Sequence, residues 1–301
     1  MRVLVTGANG LVGSRLVALF AAQGHSVTAL GRGARRTDGP GVYVSLEMTD
    51  QSALSAMVRA ERPDIVVNPG SMTDVDGCET ARAEAFFVNG VAPGILAQAT
   101  RDVGAHLVHV STDYVFDGEA GPYSEEAVPN PRGAYALTKH MGEQAVRALG
   151  DSWAIARTAV VYGWPAAGRA NFGSWLLTSL RTGEPVRLFE DQYVSPSLAD
   201  SVAEQLAELA QRRLGGFWNV CGAAVVNRVQ FGQAMCAEFG LDARAILPTR
   251  LADAKLKSPR PMRSGLRTEK AAAQLTSRPL GLSESLRRFH DSVRTAEGRN
   301  P

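Results

Sequence analysis

The sequence predicts an α/β protein: a doubly wound parallel sheet with a smaller α/β domain after it. Three observations carry that reading. Short continuous apolar runs alternate with helix-spaced segments through the first half, the pattern of a parallel sheet covered on both faces. A glycine-rich turn, Gly7-Ala8-Asn9-Gly10-Leu11-Val12-Gly13, joins the first run to the first helical segment. After Gly163 the alternation loosens into a Gly/Pro-rich stretch, Trp164 to Arg169, before a new apolar helix.

In chain order, Arg2 to Thr6 is a β-branched apolar run ended by glycines and reads as a strand, and Leu11 to Gln23 carries apolar residues at helical spacing. Ser26 to Leu30 and Asp64 to Asn68 read as further strands, Val88 to Val103 as a helix and Ala105 to Val110 as the next strand. Asn171 to Leu180 opens the second part as a helix, whose stripe of Phe172, Trp175, Leu176, Leu177 and Leu180 is core. The expected division is 1–163 and 164–301, with the chain free to cross back.

The 301 residues, 45% hydrophobic and 21% charged, are enough for a large buried core. The net charge of +2, from 32 basic and 30 acidic residues without a long run of one sign, predicts neither nucleic-acid nor membrane-surface binding. Cys78, Cys221 and Cys236 are widely spaced, with no CxxC pair, which argues against a disulfide framework or a zinc site. No run approaches the ~18 apolar residues of a membrane span. The N-terminus lacks the pattern of a signal peptide, so a cytoplasmic location is expected.

The glycine turn stands where a pyrophosphate is bound: glycines allow a tight turn and close backbone approach, and the helix that follows presents its positive end. At the end of the second strand, Leu30-Gly31-Arg32-Gly33-Ala34-Arg35-Arg36 contains no acid before Asp38. An arginine there suits a 2'-phosphate, so NADP is expected over NAD. Tyr135 and Lys139 are one helical turn apart. A cation beside a phenol favours the phenolate, so Lys139 is expected to hold down the Tyr135 pKa and make it a general acid or base. A third group, a hydroxyl at the C-terminal end of a strand, is sought in Ser111 or Thr112.

Taken together, the glycine turn, the segment Val110-Ser111-Thr112-Asp113-Tyr114-Val115-Phe116-Asp117-Gly118 and the Tyr135/Lys139 pair resemble the extended short-chain dehydrogenase/reductase superfamily. Within it the likeness is to dTDP-4-dehydrorhamnose reductases: Thr73 to Glu79, Arg157-Thr158 with Val161-Tyr162-Gly163, Asp191-Gln192 with Pro196, and Arg260-Pro261 with Ser264, Leu266, Thr268 and Lys270 all match. The resemblance implies a Rossmann cofactor domain and a substrate domain closing over a nucleotide sugar. The activity implied is NADPH-dependent reduction of the 4-keto group of a dTDP-linked 6-deoxy-4-keto sugar. Tyr135 is then the proton donor, Lys139 also bonds the nicotinamide ribose, and alignment picks Thr112 as the hydroxyl that polarises the carbonyl, with Ser111 left to bond backbone.

Cofactor contacts carried over by position are Gly7, Asn9, Gly10, Leu11, Val12, Arg32, Glu47, Met48, Pro69, Gly70 and Ser71, together with Tyr135 and Lys139. Thr73, Val75, Asp113 and Tyr114 line the sugar pocket; Asp113 and Asp117 are alternatively turn formers before Gly118. Arg260 or Arg263 pairs with the diphosphate, unless that segment is only a helix start capped by Thr268. Glu143, Arg157, His106 and His109 are expected to be structural, and His140 to face solvent. Glu47 stands where the family has aspartate, Val160 where it has a tryptophan packed on the sugar, with Trp164 the one nearby substitute, and Met72 where a polar or aromatic residue is common. Two alternatives stay open, a nucleotide-sugar epimerase or dehydratase, and a non-catalytic subunit like the β subunit of methionine adenosyltransferase. Relatives include monomers and dimers, so a homodimer is open, and some use magnesium, for which no compact carboxylate cluster argues here.

Overall fold

The computed structural model describes residues 1–36, 39–165 and 170–298. The chain begins β1 (Arg2–Val5), α1 (Leu11–Ala22), β2 (Ser26–Gly31), β3 (Val42–Ser45), α2 (Gln51–Glu61), β4 (Ile65–Asn68). It continues through α3 (Val75–Thr80), α4 (Arg82–Ala85), a π-helical turn (Phe86–Val91), α5 (Ala92–Val103), β5 (His106–Thr112), α6 (Gly133–Leu149), β6 (Trp153–Thr158) and β7 (Val161–Tyr162). The remainder is α7 (Phe172–Arg181), β8 (Val186–Phe189), β9 (Tyr193–Val194), β10 (Ser197–Leu198), α8 (Ala199–Gln211), β11 (Gly216–Asn219), β12 (Val226–Asn227), α9 (Arg228–Phe239), β13 (Ile246–Thr249), α10 (Glu269–Gln274) and α11 (Leu282–Glu297).

Seven strands form one parallel sheet in the order β11-β6-β5-β4-β1-β2-β3. The order reverses between β1 and β4, and open α/β sheets bind ligands beyond the strand ends at such a reversal. Leu16, Val17 and Phe20 of α1 and Val202, Ala203 and Leu206 of α8 cover one face. Leu54 and Val58 of α2, Leu96 and Ala97 of α5 and Val146 of α6 cover the other. With both faces buried, β4 is apolar throughout except for Asn68 at its end.

A second core joins Leu176, Leu177 and Leu180 of α7, Val186 and Leu188 of β8, Phe231 and Met235 of α9, and Leu286, Phe289 and Val293 of α11. Beyond Gly163 the chain does not stay with this core: α8 lies against α1, β11 pairs with β6, and Ala271 and Leu275 join the large-sheet core.

Two details differ from the sequence expectation. The helix sought from Val88 begins with the π-helical turn, because Pro93 at the start of α5 has no N–H to donate. β3 and α2 carry too little apolar signal to be read, since β3 has no fully buried residue and α2 buries only Leu54 and Val58.

Candidate active site

The glycine turn makes a cradle that side chains would fill. Gly7 takes φ +58, and a Cβ on it would lie 2.7 Å from the Gly70 Cα. A Cβ on Gly13 would lie 2.2 Å from the Gly7 carbonyl oxygen. The loops after β1 and β4 therefore touch backbone to backbone, fixed by the Gly70 N–H donating to Thr6 Oγ1 at 3.2 Å. Gly10 begins α1 without a side-chain cap, and the first turn holds no acidic residue, so this helix end has no carboxylate of its own first turn to compete with an anion. These residues fit a dinucleotide pyrophosphate.

Asn9 belongs to this loop, but its side chain is occupied. Its Nδ2 donates to the Arg32 and Ala34 carbonyls, each at 3.0 Å, and its Oδ1 accepts from the Arg36 N–H at 3.0 Å. It shapes the arginine loop from below. Arg32 is exposed and pairs with Glu84 at 3.3 Å; Arg35 stacks over Tyr43; Asp38 lies outside the described residues. Glu47 is exposed and Met48 packs half-buried against the α2 side of the sheet. Pro69, Gly70 and Ser71 continue from β4, and the loop they open is clamped through Met72 by buried Asn89, whose amide bonds both the N–H and the carbonyl of Met72.

Tyr135 and Lys139 are both buried on one face of α6. The helix starts where Glu79 Oε1 accepts the Ala134 N–H at 2.7 Å, a bond that holds the Glu79 carboxyl below its ordinary pKa. Tyr135 meets Tyr114 edge to face, with ring centroids 5.6 Å apart, in a cluster with Val75, Met72 and Cys78. Burial raises the Tyr135 pKa, and the neighbouring Thr112 hydroxyl opposes the rise. Lys139 is not among its electrostatic neighbours of note: its Nζ donates to the Val110 carbonyl at 2.7 Å, and burial brings its own pKa down to about 8 against the pull of Glu143. The expectation that Lys139 depresses the tyrosine pKa is thus corrected, because desolvation outweighs a cation engaged elsewhere.

Thr112 ends β5, as the strand-end hydroxyl should. Its Oγ1 accepts the Tyr114 N–H at 3.2 Å and donates to Asp113 Oδ1 at 3.1 Å. Ser111 finds no backbone partner for its hydroxyl, contrary to expectation; it lies toward Glu143. Asp113 is buried, takes Ser264 Oγ on its other oxygen at 2.5 Å, and burial pushes its pKa up to about 6. Asp117 accepts from the Glu119 N–H, Tyr123 and Asn130 and is a turn former.

The structure brings Thr112, Asp113, Tyr114, Tyr135 and Val75 together; Thr73 stands exposed just outside. Arg260 reaches this wall through Asp76, at 3.1 Å, and the Ser258 carbonyl. Val160 lies just past the β6 end that pairs with Thr112, at φ +37. Trp164 turns into the second core, and residues 166–169 of the Trp164–Arg169 stretch lie outside the described residues. Sequence reasoning missed Asn89 and Arg228 and gave no role to Glu79 and Gln192, all of which act across long sequence separations. Among the described residues no group of three or more His, Cys, Asp or Glu could hold a metal ion, and no helix is long and apolar enough to cross a membrane.

The family described as the RmlD substrate binding domain matches residues 1–295. The chain is 36% identical over 281 residues to the probable low-salt glycan biosynthesis reductase Agl14 of Haloferax volcanii, covering 91% of this chain and 92% of that protein. It is 35% identical over 283 residues to a dTDP-4-dehydrorhamnose reductase of Mycobacterium tuberculosis, covering 91% and 88%. Among solved structures, the dTDP-4-dehydrorhamnose reductase of Clostridium acetobutylicum superposes with TM-score 0.86 at 26% identity, covering 98% of this chain and 100% of that one. That of Bacillus anthracis, in complex with NADP, gives TM-score 0.86 at 25% identity, covering 96% and 98%. The chain belongs to the RmlD substrate-binding domain family of extended short-chain dehydrogenases/reductases.

Proposed function

We propose that the protein is an NADPH-dependent reductase of a 6-deoxy-4-keto sugar carried on a nucleoside diphosphate, with dTDP as the nucleotide, in the synthesis of dTDP-L-rhamnose or a related deoxysugar. The observation that carries this reading is the convergence of a buried phenol, Tyr135, and the hydroxyl of Thr112 at the end of β5, beside the sheet's reversal point.

Bound NADPH supplies the hydride that reaches the keto carbon. Tyr135 gives its phenolic proton to the keto oxygen, so C=O becomes CH–OH, and solvent restores the proton. Burial keeps the phenol protonated at neutral pH, which suits a general acid. The Thr112 hydroxyl proton, directed at Asp113 in the free protein, turns to the keto oxygen and polarises it. Lys139, held by the Val110 carbonyl, would bond the nicotinamide ribose through its ammonium. Gly7, Gly10, Leu11 and Val12 hold the pyrophosphate, and Pro69, Gly70 and Ser71 line the opposite wall.

The preference for NADPH rests on Arg32 and Arg35 and on the lack of an acid among residues 26–36. The Arg32–Glu84 pair is exposed on both sides, and such pairs contribute only ~0–1 kcal/mol, so a 2'-phosphate can displace Glu84. The test follows oxidation of NADPH and NADH with dTDP-, UDP- and GDP-linked 4-keto sugars. Turnover of the dTDP sugar with NADPH is expected; binding of NADPH without turnover of any sugar overturns the reading.

A further inference from the structure

Residues 257–264 form a strap that touches α3 at one end and the chain just past β5 at the other. At the first end the Lys257 and Ser258 N–H groups donate to Asp76 Oδ1 at 3.2 and 3.0 Å, and Ser258 Oγ donates to Glu79 Oε1 at 2.9 Å. The middle is pinned by backbone bonds: the Arg263 N–H donates to the Gly118 carbonyl at 3.0 Å, and the Tyr193 N–H to the Met262 carbonyl at 2.6 Å. At the far end Ser264 Oγ donates to Asp113 Oδ2 at 2.5 Å.

Each carboxylate reached by a strap serine also holds one half of the candidate catalytic pair. The Glu79 oxygen that takes Ser258 takes the Ala134 N–H as well, at 2.7 Å. Ala134 precedes Tyr135 at a helix start whose own cap residue, Arg132, offers no side-chain bond, so this end of α6 is held from outside. Contact there is close: a Cβ on Gly133 would lie 2.3 Å from Ser258 Oγ and 2.9 Å from Glu79 Oε1. Asp113, in turn, gives its second oxygen to the Thr112 hydroxyl at 3.1 Å. Both serines are buried, so each hydroxyl is committed to its carboxylate. We propose that Ser258 and Ser264 are positioning residues for the reduction, which through Glu79 and Asp113 set Tyr135 and Thr112 at the spacing where both meet one keto oxygen. The role in turnover rests on the reductase reading; the strap's own content is that it fixes the start of α6.

The experiment follows reduction of the dTDP-linked 4-keto sugar in light and heavy water by the parent, Ser258→Ala, Ser264→Ala, Glu79→Gln and Glu79→Met, with thermal melting to report folding. Each alanine variant is expected to lower kcat roughly ten- to a hundredfold, the scale of a small misplacement of a reacting group, with KM for NADPH within about threefold of the parent. Proton transfer from a displaced Tyr135 slows relative to hydride transfer, so the solvent isotope effect on kcat should grow. Glu79→Gln keeps an oxygen for Ala134 and Ser258 and should restore most of the kcat that Glu79→Met loses. A merely structural role would lower kcat by loss of folded protein and leave KM and the isotope effect at the parent's values. That result, or unchanged kcat in both alanine variants, or equal impairment of the two Glu79 variants, overturns the assignment. If the parent reduces no 4-keto sugar, the reductase reading falls by itself and amide hydrogen exchange decides the strap. Faster exchange at Ala134 in Ser258→Ala and Glu79→Met then sustains it, and exchange at the parent's rate overturns it.

Discussion

Lys139 is buried with a pKa of about 8, so in the free protein it carries its charge at pH 7 and loses it as the pH rises through that value. The ammonium proposed to bond the nicotinamide ribose is then lost, so kcat/KM should fall above pH ~8, a limb that a pH–rate profile of the free enzyme reports. Tyr135→Phe removes the proton donor and should lower kcat by ~10²–10⁴-fold while NADPH binding, followed by fluorescence, is unchanged. Val160 carries a different message. A β-branched residue at φ +37 is strained by roughly 1–2 kcal/mol, and glycine there gives back about 0.5–1 kcal/mol in chain entropy. Val160→Gly should therefore leave the unfolding free energy in urea unchanged or slightly raised, where removal of a β-branched side chain ordinarily lowers it.

At this scale the sequence names candidate groups more readily than the contacts that hold them. The Tyr135/Lys139 spacing and the Thr112-Asp113-Tyr114 triplet are local patterns, legible because one turn of helix or one strand end fixes them. Glu79, which starts α6 from 55 residues away, and Asn89, which clamps Met72, have partners no local pattern names. The depressed tyrosine pKa failed for a related reason, since neither the burial of Tyr135 nor the Val110 carbonyl that engages Lys139 can be seen in a five-residue motif.

Between elements, α6 and β6 are joined by a buried bidentate pair. Arg157 Nε and Nη2 donate to the two Glu143 oxygens, each at 2.9 Å. Burial pushes the Glu143 carboxyl up, but His140 and Arg157 outweigh it and the pKa falls to about 2. A depressed carboxylate contributes stability that is present above its unfolded value of 4.5 and is lost as the pH drops toward about 2. Glu143→Gln leaves Arg157 charged and buried, which costs on the order of 3–5 kcal/mol; equilibrium unfolding at neutral pH should show the loss, and a much smaller one at pH 3. The pair also bears on the site, since Lys139 and Tyr135 ride on the same helix. Elements themselves were legible in proportion to their apolar content: β1, β4 and β5 are nearly all buried, whereas β3 at the sheet edge gives no such signal.

Across the whole molecule, a ligand that binds only the folded chain stabilises it by mass action, about 2.7 kcal/mol at a hundredfold excess over Kd. NADPH should raise the melting temperature more than NADH at equal concentration, and Arg32→Ala should narrow the difference. An equal rise for both would show that the arginine loop does not select the cofactor. The looser alternation after Gly163 marks a change of organisation, and the chain was expected to be free to cross back, but nothing in the sequence names α8 and β11 as the elements that return, because pairing across some sixty residues leaves no periodic trace.

That return constrains how the protein can be made. β11 is the outer neighbour of β6, and Val202, Ala203, Leu206 and Trp218 complete one face of the sheet. A polypeptide released after residue 163 would present β6 as a bare edge and an apolar face without its cover, an invitation to aggregate. During translation the nucleotide-binding half must therefore wait, open on one side, until the ribosome has delivered α8, β11 and α10, so the two halves cannot be produced as independent pieces and mixed.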